Sequence, residues 1–310
     1  MTTQGTVVIA GAAGFLGGYA VRVFGASGWS VYGIDRAPGG IDGHPASPSP
    51  IELVEDDLSN PDGIVKLLDG WRPDVWLQFA GPSSVARSFT APCADFDSSV
   101  LPLRSVLDAI RISGASTRLL LASSAAVYGE PDVIPVPETH RVAPMSPYGY
   151  HKYVQELALD EYFRLYGVRV CKARMFSTYG PGLRQLAVWD IARRALAGDF
   201  TIFGSGAESR DYLFAEDVAR AIRCICEEAP FLGEAVNVAS GRETPIVDMA
   251  RIIYSTLGIQ KEPQVVPAQV QGNPVRWCAD TTKLRGFAFE PGIELDAGIA
   301  RTMEWIRSDG

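Results

Sequence analysis

The sequence predicts an α/β protein: a parallel sheet with helices packed on both faces. Two observations carry this. From Thr6 to Ala173, short and nearly all-apolar runs alternate with segments whose apolar residues recur at helical spacing. Apolar runs without polar alternation read as strands buried on both faces, the mark of a parallel sheet. A glycine-rich turn also joins the first such run directly to the first helical segment. With 47% apolar and 21% charged residues in 310, the chain has an ordinary globular composition, enough for one large or two average domains.

Taken in order, Thr6 to Ala10 is a strand and Phe15 to Ala26 a helix ending near Gly28. Ser30 to Ile34 is a strand stopping at Asp35, and the Gly/Pro/Ser-rich stretch Ala37 to Pro50 is a loop. Ile51 to Val54 is a strand, and Pro61 to Leu68 a helix with proline at its start. Asp74 to Ala80 and Arg118 to Ala122 are buried strands, with helical spacing from Ser98 to Ile112 between them. Gly149 to Tyr166 is a helix and Val168 to Ala173 a strand. After Arg174 the rhythm breaks, with helices at Arg184 to Ala197, Ala215 to Glu228, Pro245 to Leu257 and Leu295 to Arg307. No Gly/Ser- or Pro-rich linker separates the halves. The expected division is 1–174 as the sheet unit, rejoined by the chain around 212–240, and 175–310 mainly as a smaller α/β lobe.

The net charge of −8 disfavours binding to a phosphodiester backbone, so no nucleic-acid partner is expected. A local set of backbone N–H groups and arginines can still hold a small anion. The first residues lack a basic segment followed by an apolar one, so no signal peptide is expected. No apolar run reaches the ~18 residues of a bilayer span, so no membrane partner is expected either. Cys93, Cys171, Cys224, Cys226 and Cys278 are odd in number, form no C-x-x-C and have no histidine at ligand spacing. Reduced thiols in a cytoplasmic protein without a metal are the expectation.

Gly11-Ala12-Ala13-Gly14-Phe15-Leu16-Gly17 leaves the first strand and opens the first helix. Glycines allow a tight turn and let a pyrophosphate approach the backbone at a helix N-terminus. The spacing is G-x-x-G-x-x-G, not G-x-G-x-x-G. Asp35 ends the second strand, where a carboxylate accepts both adenosine-ribose hydroxyls and repels a 2′-phosphate. The segment therefore reads as a Rossmann-like, doubly wound dinucleotide site for NAD. Arg36 is the feature that would instead admit NADP. Asp57-Leu58 could face the adenine; Glu55-Asp56-Asp57 also reads as a solvated acidic turn.

Tyr148 and Lys152, four apart at the start of a helix, share one face. A tyrosine with pKa near ~10 needs a downward shift of about 3 units, or ~4 kcal/mol, to act as a base near neutrality. An ammonium about 4 Å away at an effective dielectric of ~20 supplies ~4 kcal/mol. A positively charged nicotinamide would add to it. Ser124, in Ser123-Ser124-Ala125-Ala126-Val127-Tyr128-Gly129, leaves the carboxyl end of a central strand, where ligands bind in such sheets.

Together these motifs, with Ala80-Gly81, Ser146-Pro147-Tyr148-Gly149-Tyr150-His151-Lys152 and Tyr179-Gly180-Pro181-Gly182, resemble the extended short-chain dehydrogenase/reductase family. The match is closest to its nucleotide-sugar epimerases and dehydratases and covers nearly the whole chain. The resemblance implies a nucleotide-diphosphate sugar as substrate and a role in polysaccharide biosynthesis. It implies Ser124 as the hydroxyl bonding the substrate oxygen, Tyr148 as general base and acid, and Lys152 as holder of the nicotinamide ribose. Arg210 is implied to grip the substrate diphosphate, as charge-assisted bidentate bonding favours. Arg184, Ser83 and Ser84 are further implied substrate contacts.

Departures from the family pattern narrow the reaction. The 4,6-dehydratases carry an acid pair where this chain has Ala125-Ala126, and water elimination needs that acid. Ser177 replaces a phosphate-reaching asparagine, and Ser99 another asparagine. Val270-Gln271-Gly272-Asn273 lacks the late phosphate-binding arginine, for which Arg276 is the expected substitute.

The leading reading is an NAD-dependent epimerase acting at sugar carbon four through a transient keto sugar. The alternatives are an NAD(P)H-dependent reductase of a 4-keto-6-deoxy nucleotide sugar and a non-catalytic cofactor sensor, which would need no Ser124, Tyr148 and Lys152. The resemblance further implies a homodimer joined through the helices Ser98 to Ile112 and Gly149 to Tyr166.

Overall fold

A computed structural model of the protein describes residues 4–36, 52–268 and 272–308. The expected loop Ala37 to Pro50, Ile51, and Val270-Gln271 lie outside the described residues. The elements follow in the order β1 (Thr6–Ala10), α1 (Phe15–Ala26), β2 (Ser30–Asp35), β3 (Glu52–Glu55), α2 (Pro61–Trp71) and β4 (Val75–Gln78). Next come α3 (Val85–Thr90), α4 (Pro92–Ser113), β5 (Arg118–Ser124), α5 (Pro147–Tyr166), β6 (Val170–Met175), β7 (Ser177–Tyr179) and α6 (Leu186–Leu196). The chain ends with β8 (Thr201–Phe203), β9 (Ser209–Phe214), α7 (Ala215–Glu228), β10 (Leu232–Val238), β11 (Glu243–Pro245), α8 (Ile246–Leu257), β12 (Gln264–Val266), α9 (Thr282–Arg285) and α10 (Leu295–Ser308).

Seven strands form one sheet in the order β10-β6-β5-β4-β1-β2-β3, every neighbour parallel. The strand order reverses between β1 and β4, which opens a crevice at the carboxyl ends of those strands. The pleat sends alternate residues to opposite faces. Val7 and Ile9 pack with Phe24 of α1 and Ile222 of α7, whereas Val8 and Ala10 pack with Leu68 of α2 and Leu107 of α4. A third core joins β8 and β9 to α6, α8 and α10 through Ile202, Tyr212, Ile191, Ile253 and Met303.

Local chemistry explains the boundaries. Asn60 caps α2 by accepting from Asp62 N at 3.1 Å, and Ser146 caps α5 by accepting from Gly149 N at 3.1 Å. Proline occupies the first turn of both helices, where no N–H is needed. The helix expected from Ser98 starts earlier, at Pro92, for the same reason, and accommodates Pro102. The strands β7, β8, β9, β10, β11 and β12 and the short helices α3 and α9 are not among the elements the sequence predicts. Among the described residues no helix is long and apolar enough to cross a membrane, and no acidic, histidine or cysteine cluster is arranged to hold a metal. All five cysteines are free.

Candidate active site

The glycine turn forms one wall of a cavity of about 730 Å³ at the carboxyl ends of the sheet strands. Ile34 O accepts from Gly11 N at 2.8 Å and Ala12 N at 3.2 Å, locking the turn onto β2. Gly11 has φ +87°. A Cβ on Gly17 would stand 1.9 Å from Gly11 O, so α1 can approach the turn this closely only with glycine there. The first turn of α1 carries no acidic side chain, which leaves its N-terminal dipole available to an anion. Asp35 Oδ2 accepts from Ala13 N at 2.9 Å, which places the carboxylate against the glycine turn. This cradle of backbone N–H groups, closed to side chains at Gly17, fits the pyrophosphate of a dinucleotide.

Gly11, Gly14, Phe15, Leu16, Gly17, Gly81, Ser83, Ser124, Tyr148, Lys152, Ser177 and Arg210, all singled out in the sequence, line this one cavity. Ala80 lies just behind it, its N 2.8 Å from where a Gly11 Cβ would stand. Asp35, Arg36, Asp57 and Leu58 do not line it. Leu58 is instead buried in the core with Ile34 and Ile64, and Asp57 is exposed, accepting from Ser59 N at 2.9 Å.

Ser124 ends β5, and its Oγ accepts from Ala126 N at 3.2 Å. Ser88 Oγ accepts from Tyr148 N at 3.0 Å and fixes the first turn of α5. Gly149 lets that turn rest on the segment Ala125–Val127, since a Cβ there would stand 2.7 Å from Ala126 O. The tyrosine hydroxyl thereby comes within hydrogen-bond reach of Ser124. Lys152 Nζ donates to Ala122 O at 2.9 Å and lies 5.8 Å from the centre of the Tyr148 ring.

One electrostatic expectation is corrected. Burial pushes Tyr148 up to about 12, reinforced by the charge of Asp95 and opposed by the Ser124 hydrogen bond. Burial also pulls Lys152 down to about 8, against the charges of Asp95 and Glu156. In the protein alone, desolvation outweighs the lowering of Tyr148 by its Ser124 hydrogen bond, and the Lys152 ammonium is engaged by a strand carbonyl.

Arg210 faces the cavity from β9, its Nη1 donating to Ser209 O at 2.7 Å and Val275 O at 3.2 Å, above the Trp277 ring. The two carboxylates nearest in sequence are engaged elsewhere. Glu208 accepts from Ser205 N and Gly206 N, while Asp211 accepts from Ser240 N, Gly241 N and Ala279 N. Ser177 lies opposite Tyr212 in the β7–β9 pair.

Three expected substrate contacts lie outside the cavity lining. Arg276 is held in a bidentate pair by Glu243, both contacts 2.7 Å, and does not line the cavity. Arg184 is exposed outside the cavity, with its guanidinium carbon 5.9 Å from the ring centre of Trp305 on α10. Ser84 caps α3 by accepting from Arg87 N at 3.2 Å. Ser83 accepts from Gln185 Nε2 at 2.8 Å, bridging the loop after β4 to the start of α6.

Sequence reasoning missed Gln185, Asp190, Arg194, Tyr212 and Trp277, which also line the cavity. Tyr212 sits beside Arg210 in the quoted motif and was legible there; nothing local marked the others. The Tyr212 hydroxyl and Trp277 Nε1 are buried in the wall without a hydrogen-bond partner, as donors awaiting a ligand would be.

The family model for NAD dependent epimerases/dehydratases matches residues 7–239. UDP-glucose 4-epimerase of Mycolicibacterium smegmatis is 32% identical, over 97% of this chain and 98% of its own. The Thermotoga maritima UDP-glucose 4-epimerase solved with UDP-glucose superposes with TM-score 0.86 at 26% identity, covering 98% of this chain and 99% of that one. The Thermus thermophilus UDP-glucose 4-epimerase solved with NAD gives TM-score 0.85 at 26% identity, covering 98% and 100%. The chain belongs to the NAD-dependent epimerase/dehydratase family, a branch of the extended short-chain dehydrogenases/reductases, and NAD is its cofactor.

Proposed function

We propose that this protein is an NAD-dependent epimerase of a nucleotide-diphosphate sugar, inverting sugar carbon four through a transient keto sugar. The observation that carries the reading is the convergence of Ser124, Tyr148 and Lys152 on one cavity between the α1 N-terminus and Arg210. Ala126 lines the same cavity where an eliminating enzyme would need an acid. The likeness to UDP-glucose 4-epimerases supports the same reading.

The residues divide as follows. Gly11, Gly14, Phe15, Leu16 and Gly17 hold the dinucleotide pyrophosphate, Asp35 the adenosine ribose, and Ala80 and Gly81 flank the cofactor. NAD, when bound, supplies the hydride acceptor and donor and brings a positive charge into the cavity. Lys152 holds the nicotinamide ribose and Ser124 bonds the reacting sugar oxygen. Tyr148 takes the proton from that oxygen and later returns it, so the turnover needs no net proton. Arg210 grips the diphosphate, with Ser177 and Ser83 as lesser contacts. The unit built from 1–174 and the returning strand β10 carries the cofactor, and the rest of 175–310 carries the sugar.

The protein works as a cytoplasmic homodimer. The five free thiols support the compartment, and the exposed Leu101 and Ile112 of α4 and Tyr150, Leu157 and Leu165 of α5 support the dimer. Arg36, beside Asp35, and the altered phosphate contacts, with Ser177 for asparagine and no late arginine, are the features favouring the 4-keto reductase.

Incubation with hexoses linked to UDP, GDP, dTDP or CDP and deuterated at carbon four tests the reading. The expected product is the inverted sugar with its deuterium retained and no cofactor added. NADPH oxidation with a 4-keto-6-deoxy sugar, without inversion of any hexose, would overturn it in favour of the reductase. Cofactor binding with neither reaction would leave the sensor.

A further inference from the structure

Arg210 does not stand alone on its wall of the cavity. Ser209 of β9 forms a parallel bridge with Arg276, and Trp277 N donates to Ser209 O at 3.2 Å. Arg210 and Trp277 therefore lie side by side, with the guanidinium carbon 5.4 Å from the centre of the indole. Tyr212 follows Arg210 by two residues along β9, so the two side chains share a face of the strand. All three residues line the same cavity.

Each of the three has hydrogen-bonding capacity left over. Among the described residues no carboxylate forms an ion pair with Arg210, whose Nη1 is engaged only by the carbonyls of Ser209 and Val275. Tyr212 and Trp277 are 7% and 8% exposed, yet the Tyr212 hydroxyl and Trp277 Nε1 have no hydrogen-bond partner. Buried polar atoms are nearly always paired, and an indole N–H can only donate. Burial raises the pKa of Tyr212 against the charge of Arg210, so its hydroxyl keeps a proton to donate. Trp277, Arg210 and Tyr212 thus form a row of three donors, which fits an elongated anion. The two ends of the row differ in their surroundings. Trp277 packs with Ala126, Tyr148 and Phe176, at the reacting end of the cavity. Tyr212 packs in a separate core with Ile191 of α6 and Ile202 of β8.

We propose that Trp277 and Tyr212 are substrate-binding residues that complete the diphosphate site around Arg210. Trp277 Nε1 donates to the sugar-linked phosphate, and the Tyr212 hydroxyl donates to the nucleoside-linked phosphate. The inference rests on the reading of the substrate as a nucleotide-diphosphate sugar. It fills the place expected of Arg276, which Glu243 holds outside the cavity. Neutral donors suit a buried wall, because a hydrogen bond to a charged acceptor is roughly twice as strong as a neutral one and no second guanidinium has to be desolvated.

The chain has six tryptophans, so ¹⁵N-labelled indole N–H signals can be followed singly in the NAD-loaded protein, and Trp277→Phe assigns that of Trp277. UDP, GDP, dTDP and CDP are the probes, each beside its nucleoside monophosphate, with affinities read by calorimetry. A diphosphate that binds is expected to move the Trp277 signal well beyond any shift its monophosphate causes. Trp277→Phe keeps an aromatic ring but loses the N–H, and is expected to weaken the diphosphate about 10-fold or more while leaving the monophosphate unchanged. Tyr212→Phe is expected to weaken both by about 10-fold or more. Lost packing alone would weaken both ligands alike in Trp277→Phe, so the ratio of the two affinities separates binding from a structural role. If Trp277→Phe fails to fold, Phe replacements of the other five tryptophans assign the signal by elimination, and its shift decides. A Trp277 signal that no bound diphosphate moves, or an unchanged affinity ratio in Trp277→Phe, would overturn the assignment. Wild-type protein that binds none of the four diphosphates would overturn the nucleotide-sugar reading and this inference with it. Binding with the expected shift, but without inversion of any hexose, would remove the epimerase reading and still support this one.

Discussion

Gly17→Ala is a severe test of the glycine turn because two opposing effects can be weighed from the structure. Alanine favours a helix over glycine by ~1 kcal/mol, so on propensity alone the change should stabilise α1. The new Cβ, however, would stand 1.9 Å from Gly11 O, where ordinary contact begins at 3.4 Å. The turn must retreat by about 1.5 Å, and what must move is backbone tied to β2 at Ile34 O. Overpacking that shifts backbone costs about 1–3 kcal/mol, and this contact belongs at the upper end. The net expectation is a loss of ~2 kcal/mol, with weakened NAD binding because the retreating backbone is the pyrophosphate cradle.

Gly70→Ala is the matched control. It also lies in a helix, α2, but its Cβ would meet nothing within 4 Å, so a gain of up to ~1 kcal/mol is expected. Urea unfolding followed by circular dichroism, with NAD titration of each variant, reads both. A Gly17→Ala protein as stable as wild type, with undiminished NAD affinity, would refute the close-approach argument.

Tyr148→Phe is expected to keep its fold and NAD binding but lose ~100-fold or more in turnover, and steady-state assay beside a thermal melt checks both. In the wild type the rate should fall above about pH 8 as Lys152 loses its proton, since burial has brought that group down to about 8; a rate flat to pH 10 would contradict this. Asp35→Ala should narrow or reverse the preference for NAD over NADP by relieving repulsion of a 2′-phosphate, and wild-type protein binding NADP more tightly would overturn the NAD-selective role of Asp35. Light scattering at micromolar concentration should give twice the chain mass, and a monomer mass would remove the α4–α5 dimer.

What the sequence determined by itself was short-range. The glycine turn, the four-residue spacing of Tyr148 and Lys152, and Ser124 at the end of a strand are properties of a few adjacent residues. Their chemistry follows from helical and strand geometry alone. The strands of the large sheet, β10 excepted, were legible for the same reason, because burial on both faces makes each run apolar throughout. The three-residue strands β7, β8, β11 and β12 carry no period to read, and their pairing depends on residues far away in the chain. Direction and burial were likewise decided only by the tertiary structure. Arg210 and Arg276 looked alike as anion-binding arginines, yet one faces the cavity and the other is claimed by Glu243, 33 residues away. Lys152 was expected to lower the Tyr148 pKa, but a shared helix face does not fix where the ammonium points or how dry the site is. Asp95 and His151 are 56 residues apart, and only the crossing of α4 over α5 makes them a pair. Spacing along a chain reports which groups can meet; desolvation and long-range contact, set by the whole fold, decide which charges those groups carry.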